Sequence, residues 1–173
     1  MNPEQLASKV RTIPDFPKPG IVFRDVTTLL RDPEGYAAAI DAMSVPIRAW
    51  KPDVIVGIES RGFIFGAPIA RDLGIGFVPV RKLGKLPGET ISIEYDLEYG
   101  TNVLQIHRDA LRPGARVIIV DDVLATGGTI AGTLKLVEQL GAIPVAISFL
   151  AELPALGGRA RLPDGIVSAL IAF

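Results

Sequence analysis

The stretch from 116 to 150, "RVIIVDDVLATGGTIAGTLKLVEQLGAIPVAISFL", restricts the fold of this chain more than any other. "RVIIV" (116–120) is an aliphatic run without polar alternation, as in a strand buried on both faces. "GTLKLVEQLG" has helical spacing, and "PVAISFL" is a second apolar strand. Two parallel strands can be joined only by a crossover of about this length, so strand, helix and strand in this order form a parallel pair. A parallel pair needs cover on both sides. The expected class is therefore α/β: a mostly parallel sheet flanked by helices on both faces.

The remaining segments fit that frame. Asn2 can cap a short helix with Pro3 at its first position, and "IPDFPKPG" (13–20), with its three prolines, reads as a rigid extended connector. Asp32-Pro33 opens a helix to about Arg48, which Pro46 is expected to kink or end. "DVIVGIE" (53–59) is a buried strand, "RGFIFGAPIARDLG" a helix ending at Gly74, and "GFVPVRK" (76–82) a further strand. In "ISIEYDLEYG", Ile91, Ile93, Tyr95, Leu97 and Tyr99 alternate with polar residues, so this strand has one wet face. "TNVLQIHRDAL" can pair back on it as an antiparallel hairpin, and "IVSALIAF" is a candidate last strand. With neither an internal repeat nor a low-complexity tract, residues 1–173 are expected to form one domain.

Composition excludes several function classes. The formal net charge of -1 leaves no basic excess for a nucleic-acid backbone. The absence of cysteine removes disulfides, thiolate metal sites and a cysteine nucleophile. No signal-peptide pattern or membrane-length apolar run is visible, so the cytoplasm is the expected compartment and no membrane partner is expected.

Polar, glycine-bearing loops follow three strands, and open α/β sheets bind ligands at such strand ends. They are "ESRG" (59–62), "RKLGKLPG" (81–88) and "DDVLATGGT" (121–129). In the last, Gly127 and Gly128 let the backbone approach a ligand, Thr126 and Thr129 offer hydroxyls or a helix cap, and the helix start suits a phosphate. Asp121 and Asp122 are acceptors and suit sugar hydroxyls instead. One ligand with two ends satisfies both: a ribose diol on the aspartates and a 5-phosphate on the glycine loop. The loop is neither a Walker loop nor a dinucleotide turn. On their residues alone, Arg61 and the loop lysines read equally as solvated charges, and Phe23 and Leu153 as core.

The segment "VIIVDDVLATGGT" resembles the phosphoribosyl pyrophosphate (PRPP) motif of the type I phosphoribosyltransferases. "DFPKPGIVFRD", "GIESRGFIFGAPIA", "VRKLGKLPGET", "EYDLEYGTNVLQIHRDAL" and "FLAEL" follow the order seen in the family's adenine-using branch. The resemblance implies transfer of a 5-phosphoribosyl group from PRPP to N9 of adenine, giving AMP and pyrophosphate, with Mg2+ held mainly by PRPP and water rather than by protein ligands. It implies that Asp121 and Asp122 contact the ribose and that Ala125, Thr126, Gly127, Gly128 and Thr129 hold the 5-phosphate. Ser60 and Arg61 lie in the pyrophosphate loop, with Arg81, Lys82 and Lys85 adding charge, in some members from a neighbouring subunit, which implies a homodimer. Val22, Phe23 and Arg24 read the base on one side, with Leu153 on the other. Glu98 lies near N7 of the base as proton donor, and Tyr99 closes a hairpin lid. The same fold with another base, and a PRPP-sensing regulator without turnover, are the competing readings. His107, Trp50 and the methionines are given no role.

Overall fold

The structure, a computed structural model, describes residues 1–96 and 101–173. Its centre is a seven-stranded sheet. The chain enters it through β3 (Val54–Ile58), β4 (Gly76–Lys82), β7 (Arg116–Leu124), β8 (Ile143–Glu152) and β9 (Val167–Ala172), which pair in the parallel order β4-β3-β7-β8-β9. The hairpin of β5 (Thr90–Asp96) and β6 (Thr101–His107) adds to the β4 edge antiparallel, as the alternating pattern predicts.

Helices cover both faces. The helices α1 (Pro3–Ser8), α3 (Pro33–Ala49) and α4 (Arg61–Leu73) bury Leu6, Ile40, Met43, Phe65 and Ile69 with Ile55 and Ile118 of the sheet. On the other face α5 (Gly128–Gln139) packs Ile130, Leu134 and Val137 against Val56, Ile119 and Phe149. Neighbouring residues of β7 thus alternate between the two cores, which is why its aliphatic run has no polar gap.

Two expectations change. Pro46 does not end α3, which continues to Ala49. Losing one helical hydrogen bond to an interior proline costs about 3 kcal/mol. Met43 and Ile47, on either side of it, are almost fully buried, and each stabilises the packed helix by roughly 1.5–3 kcal/mol. The connector expected at 13–20 joins two short strands without a periodic signal in the sequence, β1 (Arg11–Ile13) and β2 (Phe23–Asp25), paired antiparallel outside the main sheet. The four-residue helix α2 (Thr27–Leu30) follows, and Asp25 ties strand to helix by accepting from Thr27 N at 3.0 Å and pairing with Arg11.

Candidate active site

Two crossovers diverge at the middle of the sheet. From β3 the chain passes through α4 on one face to β4; from β7 it passes through α5 on the other face to β8. The gap between the C-terminal ends of β3 and β7 is the place where doubly wound sheets bind ligands. Here β3 stops pairing at Gly57 opposite Val120, while β7 runs on beside β8 to Leu124. Asp121 and Asp122 were expected in a loop. They lie instead on this unaccompanied length of strand, whose conformation is held by β8.

A cleft of about 450 Å3 opens at that gap, lined by Glu59, Ser60, Arg61, Lys82, Asp121, Asp122 and Thr129 together with Tyr95, Asn102 and Leu104 of the hairpin. Three strand-end segments singled out in the sequence therefore converge on one space. A wider depression of about 560 Å3 lies at the other end of the hairpin. In it His107 Nε2 donates to Pro87 O at 2.8 Å, and Arg108 faces Glu89 at 3.6 Å. It lies away from the ends of β3 and β7 and includes neither the aspartate pair nor the glycine loop.

The acidic pair is built tightly. A Cβ on Gly62, in the first turn of α4, would stand 2.8 Å from both Asp121 Oδ1 and Val120 O, so only glycine lets the helix start so close to the carboxylates. Asp122 N donates to Asp121 Oδ1 at 2.9 Å. Asp122 is 4% exposed, and Arg61 Nε lies 2.7 Å from its Oδ2, although that oxygen accepts no hydrogen bond. The distance is that of an ion pair; the N–H is aimed elsewhere. The same guanidinium lies 5.5 Å from the Phe23 ring centroid, linking the aspartates to the β1–β2 hairpin.

Burial pushes the carboxyls of Asp121 and Asp122 above the usual range. For Asp121 the charge of Asp122 adds to the effect; for Asp122 the Arg61 cation opposes it. Asp121 keeps part of its surface on the cleft, but the mass of protein around it makes desolvation dominate. The two groups titrate as a pair, and a ligand that brings hydroxyl donors or a cation relieves the cost of their charge.

The glycine loop lies beside them, with a cup of about 70 Å3 lined by Asp121 and residues 123–130. Helix α5 begins at Gly128, and Gly127 in front of it has φ 80°. No side chain caps this helix, so neither threonine serves as the expected cap. The first-turn N–H groups of a helix lack intrahelical partners, and at the positive end of a twelve-residue helix they form an anion site. The loop is braced from behind: a Cβ on Gly127 would lie 2.6 Å from Gly158 O, and one on Gly158 would lie closer still to Ala125 O.

The third loop is partly committed. Arg81 donates to both carboxylate oxygens of Glu59 (3.3 and 3.0 Å) and to Lys85 O at 2.9 Å, while Lys82 N donates to Glu59 Oε2 at 3.0 Å. The Arg81 guanidinium holds the Glu59 carboxyl below the usual range. Lys82 faces the cleft; Lys85 enters this arrangement through its carbonyl. The Glu59–Ser60 peptide is cis. Val22, Phe23, Arg24 and Leu153 stand apart from the cleft lining, which Phe23 meets through Arg61. Glu98 and Tyr99 lie outside the described residues.

Sequence reasoning passed over Glu59, Tyr95, Asn102, Gly62 and Gly158. Tyr95 was legible as one face of an alternating strand. Glu59 ended a buried strand beside Arg61, a signal that was available. Nothing local marks Gly158, whose role comes from a contact with a loop far away in sequence.

A family model described as a phosphoribosyl transferase domain matches residues 25–161. The adenine phosphoribosyltransferase of Nostoc punctiforme is 57% identical over 170 residues, covering 97% of this chain and 99% of the relative. That of Desulfitobacterium hafniense is 57% identical over 164 residues, 95% of each chain. Among solved structures, adenine phosphoribosyltransferase from Thermoanaerobacter pseudethanolicus superposes with a TM-score of 0.95 at 52% identity, covering 98% of this chain and 99% of that one. The Saccharomyces cerevisiae enzyme, solved with D-2,5-dideoxy-2,5-imino-altritol 1,6-bisphosphate and adenine, has a TM-score of 0.92 at 43% identity and covers 96% and 97%. With a matched model over most of the chain and relatives of this identity along nearly all of it, the chain belongs to the phosphoribosyltransferase family, among the adenine phosphoribosyltransferases.

Proposed function

We propose that the cleft between β3 and β7 binds PRPP and transfers its 5-phosphoribosyl group to N9 of adenine, releasing pyrophosphate and leaving AMP. The N9–C1 bond forms as the bond from C1 to the pyrophosphate oxygen breaks, and the ring proton of adenine is released to solvent. The observation that carries the reading is the adjacency of the Asp121–Asp122 pair, Asp122 buried and Asp121 partly open to the cleft, to the uncapped start of α5. Acceptors for a diol and donors for a phosphate then lie side by side, Asp121 lining both the cleft and the loop cup, as one phosphorylated pentose requires.

Asp121 and Asp122 accept from the ribose hydroxyls, and the backbone from Ala125 to Thr129 with its threonine hydroxyls takes the 5-phosphate. Negative charge grows on the departing pyrophosphate in a loose transition state, so Ser60, Arg61, Arg81, Lys82 and Lys85 act by stabilising that group, and no protein nucleophile is required. To do so, Arg81 exchanges part of its Glu59 contact for substrate. Mg2+ bound with PRPP would supply further charge neutralisation for the leaving group. Such an ion would be held mainly by PRPP and water, and Asp121, which lines the cleft with part of its surface exposed, offers hard carboxylate oxygens that suit its charge.

Adenine lies between Phe23 and Leu153, its amino and ring-nitrogen edge read by backbone at Arg24, next to Val22. Glu98 exchanges a proton at N7, and Tyr99 closes over the site. Glu98→Ala therefore slows turnover more than it weakens PRPP binding. The chain works as one domain and as a homodimer in the cytoplasm. Among the described residues no helix is long and apolar enough to cross a membrane.

Incubation with PRPP, Mg2+ and each base in turn, following pyrophosphate release, tests the assignment. Release with adenine is expected. Preference for hypoxanthine or guanine overturns the choice of base, and PRPP binding without turnover marks a sensor.

A further inference from the structure

The β1–β2 hairpin stands outside the main sheet, so something must fix its distance from the strand ends it faces. One side-chain tie is specific. The Arg24 guanidinium lies over the ring of Phe173, 4.4 Å from its centroid, and donates to Thr12 Oγ1 across the hairpin at 2.6 Å. Phe173 is held from the other side: its N–H donates to Glu152 O at 3.1 Å, just past the β8–β9 pairing, and its side chain packs on the core formed by α1, α3 and α4. Leu153 follows Glu152 directly and is fixed by its own N–H on Leu124 O at 2.9 Å. One aromatic ring thus connects the residue whose backbone reads the base to the strand end that carries the opposite wall.

We propose that Phe173 is a positioning residue for the nucleobase: by stacking under Arg24 while bonded to Glu152, it sets the gap between the hairpin and Leu153. The inference rests on the reading of that gap as the adenine slot. Phe173 touches no reacting atom and lies away from the phosphate loop, so its effect falls on the base and spares PRPP. A cation on a ring face is directional, and leucine of similar bulk does not replace it.

Steady-state kinetics on the full chain test this. Phe173→Leu should raise KM for adenine on the order of fivefold, with KM for PRPP and kcat at saturation unchanged, and Phe173→Tyr should restore the wild-type value. Arg24→Met keeps the backbone donors and should raise the adenine KM similarly, adding little in the double variant. Should Phe173→Leu fold poorly, Thr12→Val removes the other anchor from an exposed position and should raise the adenine KM about twofold. An unchanged adenine KM, equal rises in both KM values, or a tyrosine variant as impaired as leucine overturns the proposal. A wild-type protein that turns over no adenine overturns the reading beneath it instead.

Discussion

Arg61 Nε and Asp122 Oδ2 stand 2.7 Å apart without a hydrogen bond between them, at the point where the crossovers through α4 and α5 part. The arginine opposes the cost of a buried carboxylate and also lines the cleft. Its charge therefore serves the free protein and, in the proposed reaction, the leaving pyrophosphate.

Arg61→Ala removes both services. Turnover should fall by about 10²–10³-fold, the scale of losing one preorganised donor to developing charge. Arg61→Lys should recover only part of it, since an ammonium lacks the planar fork. Rates of pyrophosphate release measure this; turnover within twofold of wild type in Arg61→Ala contradicts the role.

Asp121→Asn should stabilise the free protein while weakening PRPP binding. Burial and Asp122 raise the Asp121 carboxyl well above its ordinary 3.8, so the folded state holds the proton more tightly than the unfolded chain. Wild-type stability is then lost as pH rises above the ordinary carboxylate range. The asparagine gains about 1 kcal/mol at neutral pH, and the gain shrinks toward acid. Denaturant melts at about pH 5 and about pH 8 show the trend; a gain larger at the acid end contradicts it.

Gly158→Ala drives a methyl group into Ala125 O, a backbone atom of the glycine loop. Loop or turn must shift, at about 1–3 kcal/mol for an overpacked site. Affinity for PRPP should drop more than affinity for adenine. Ala at Gly157, whose Cβ would meet nothing within 4 Å but whose φ is 66°, is the control for backbone strain alone.

Asp25 gives an acid-side signature of the hairpin. Its carboxyl is lowered from 3.8 to about 2, first by the hydrogen bond from Arg11 and then by the N–H of Thr27. A depressed carboxyl contributes stability above its unfolded value that is lost as pH falls from about 4 to about 2. Arg11 is half-exposed and solvent screens the pair, so about 1 kcal/mol is expected. Asp25→Asn should flatten the stability profile in that window; an unaltered profile rules the pair out.

The parallel core was legible because RVIIV, DVIVGIE and PVAISFL have no polar face, and the hairpin because Ile91, Ile93 and Tyr95 do. The strands at 11–13 and 23–25 were not, since three residues carry no periodicity and the prolines between them dominated the signal. The extent of β7 was misjudged because aspartate is rare in strands; pairing with β8 overrides that preference. Asp121, Asp122 and the glycine loop could be read directly, being contiguous in sequence. The Glu59–Arg81 pair joins the turn after β3 to a residue of β4, and no local pattern indicates it.

The turn beginning at Gly158 presses on the loop at 125–127, and the same chain segment starts at Leu153, beside the proposed base. A single covalent span thereby acts as a ruler for the nucleotide, gauging how far the heterocycle sits from the phosphorus. Lengthening that span by a residue would recalibrate both ends together, so relatives with an insertion there are expected to carry matching changes in the glycine loop.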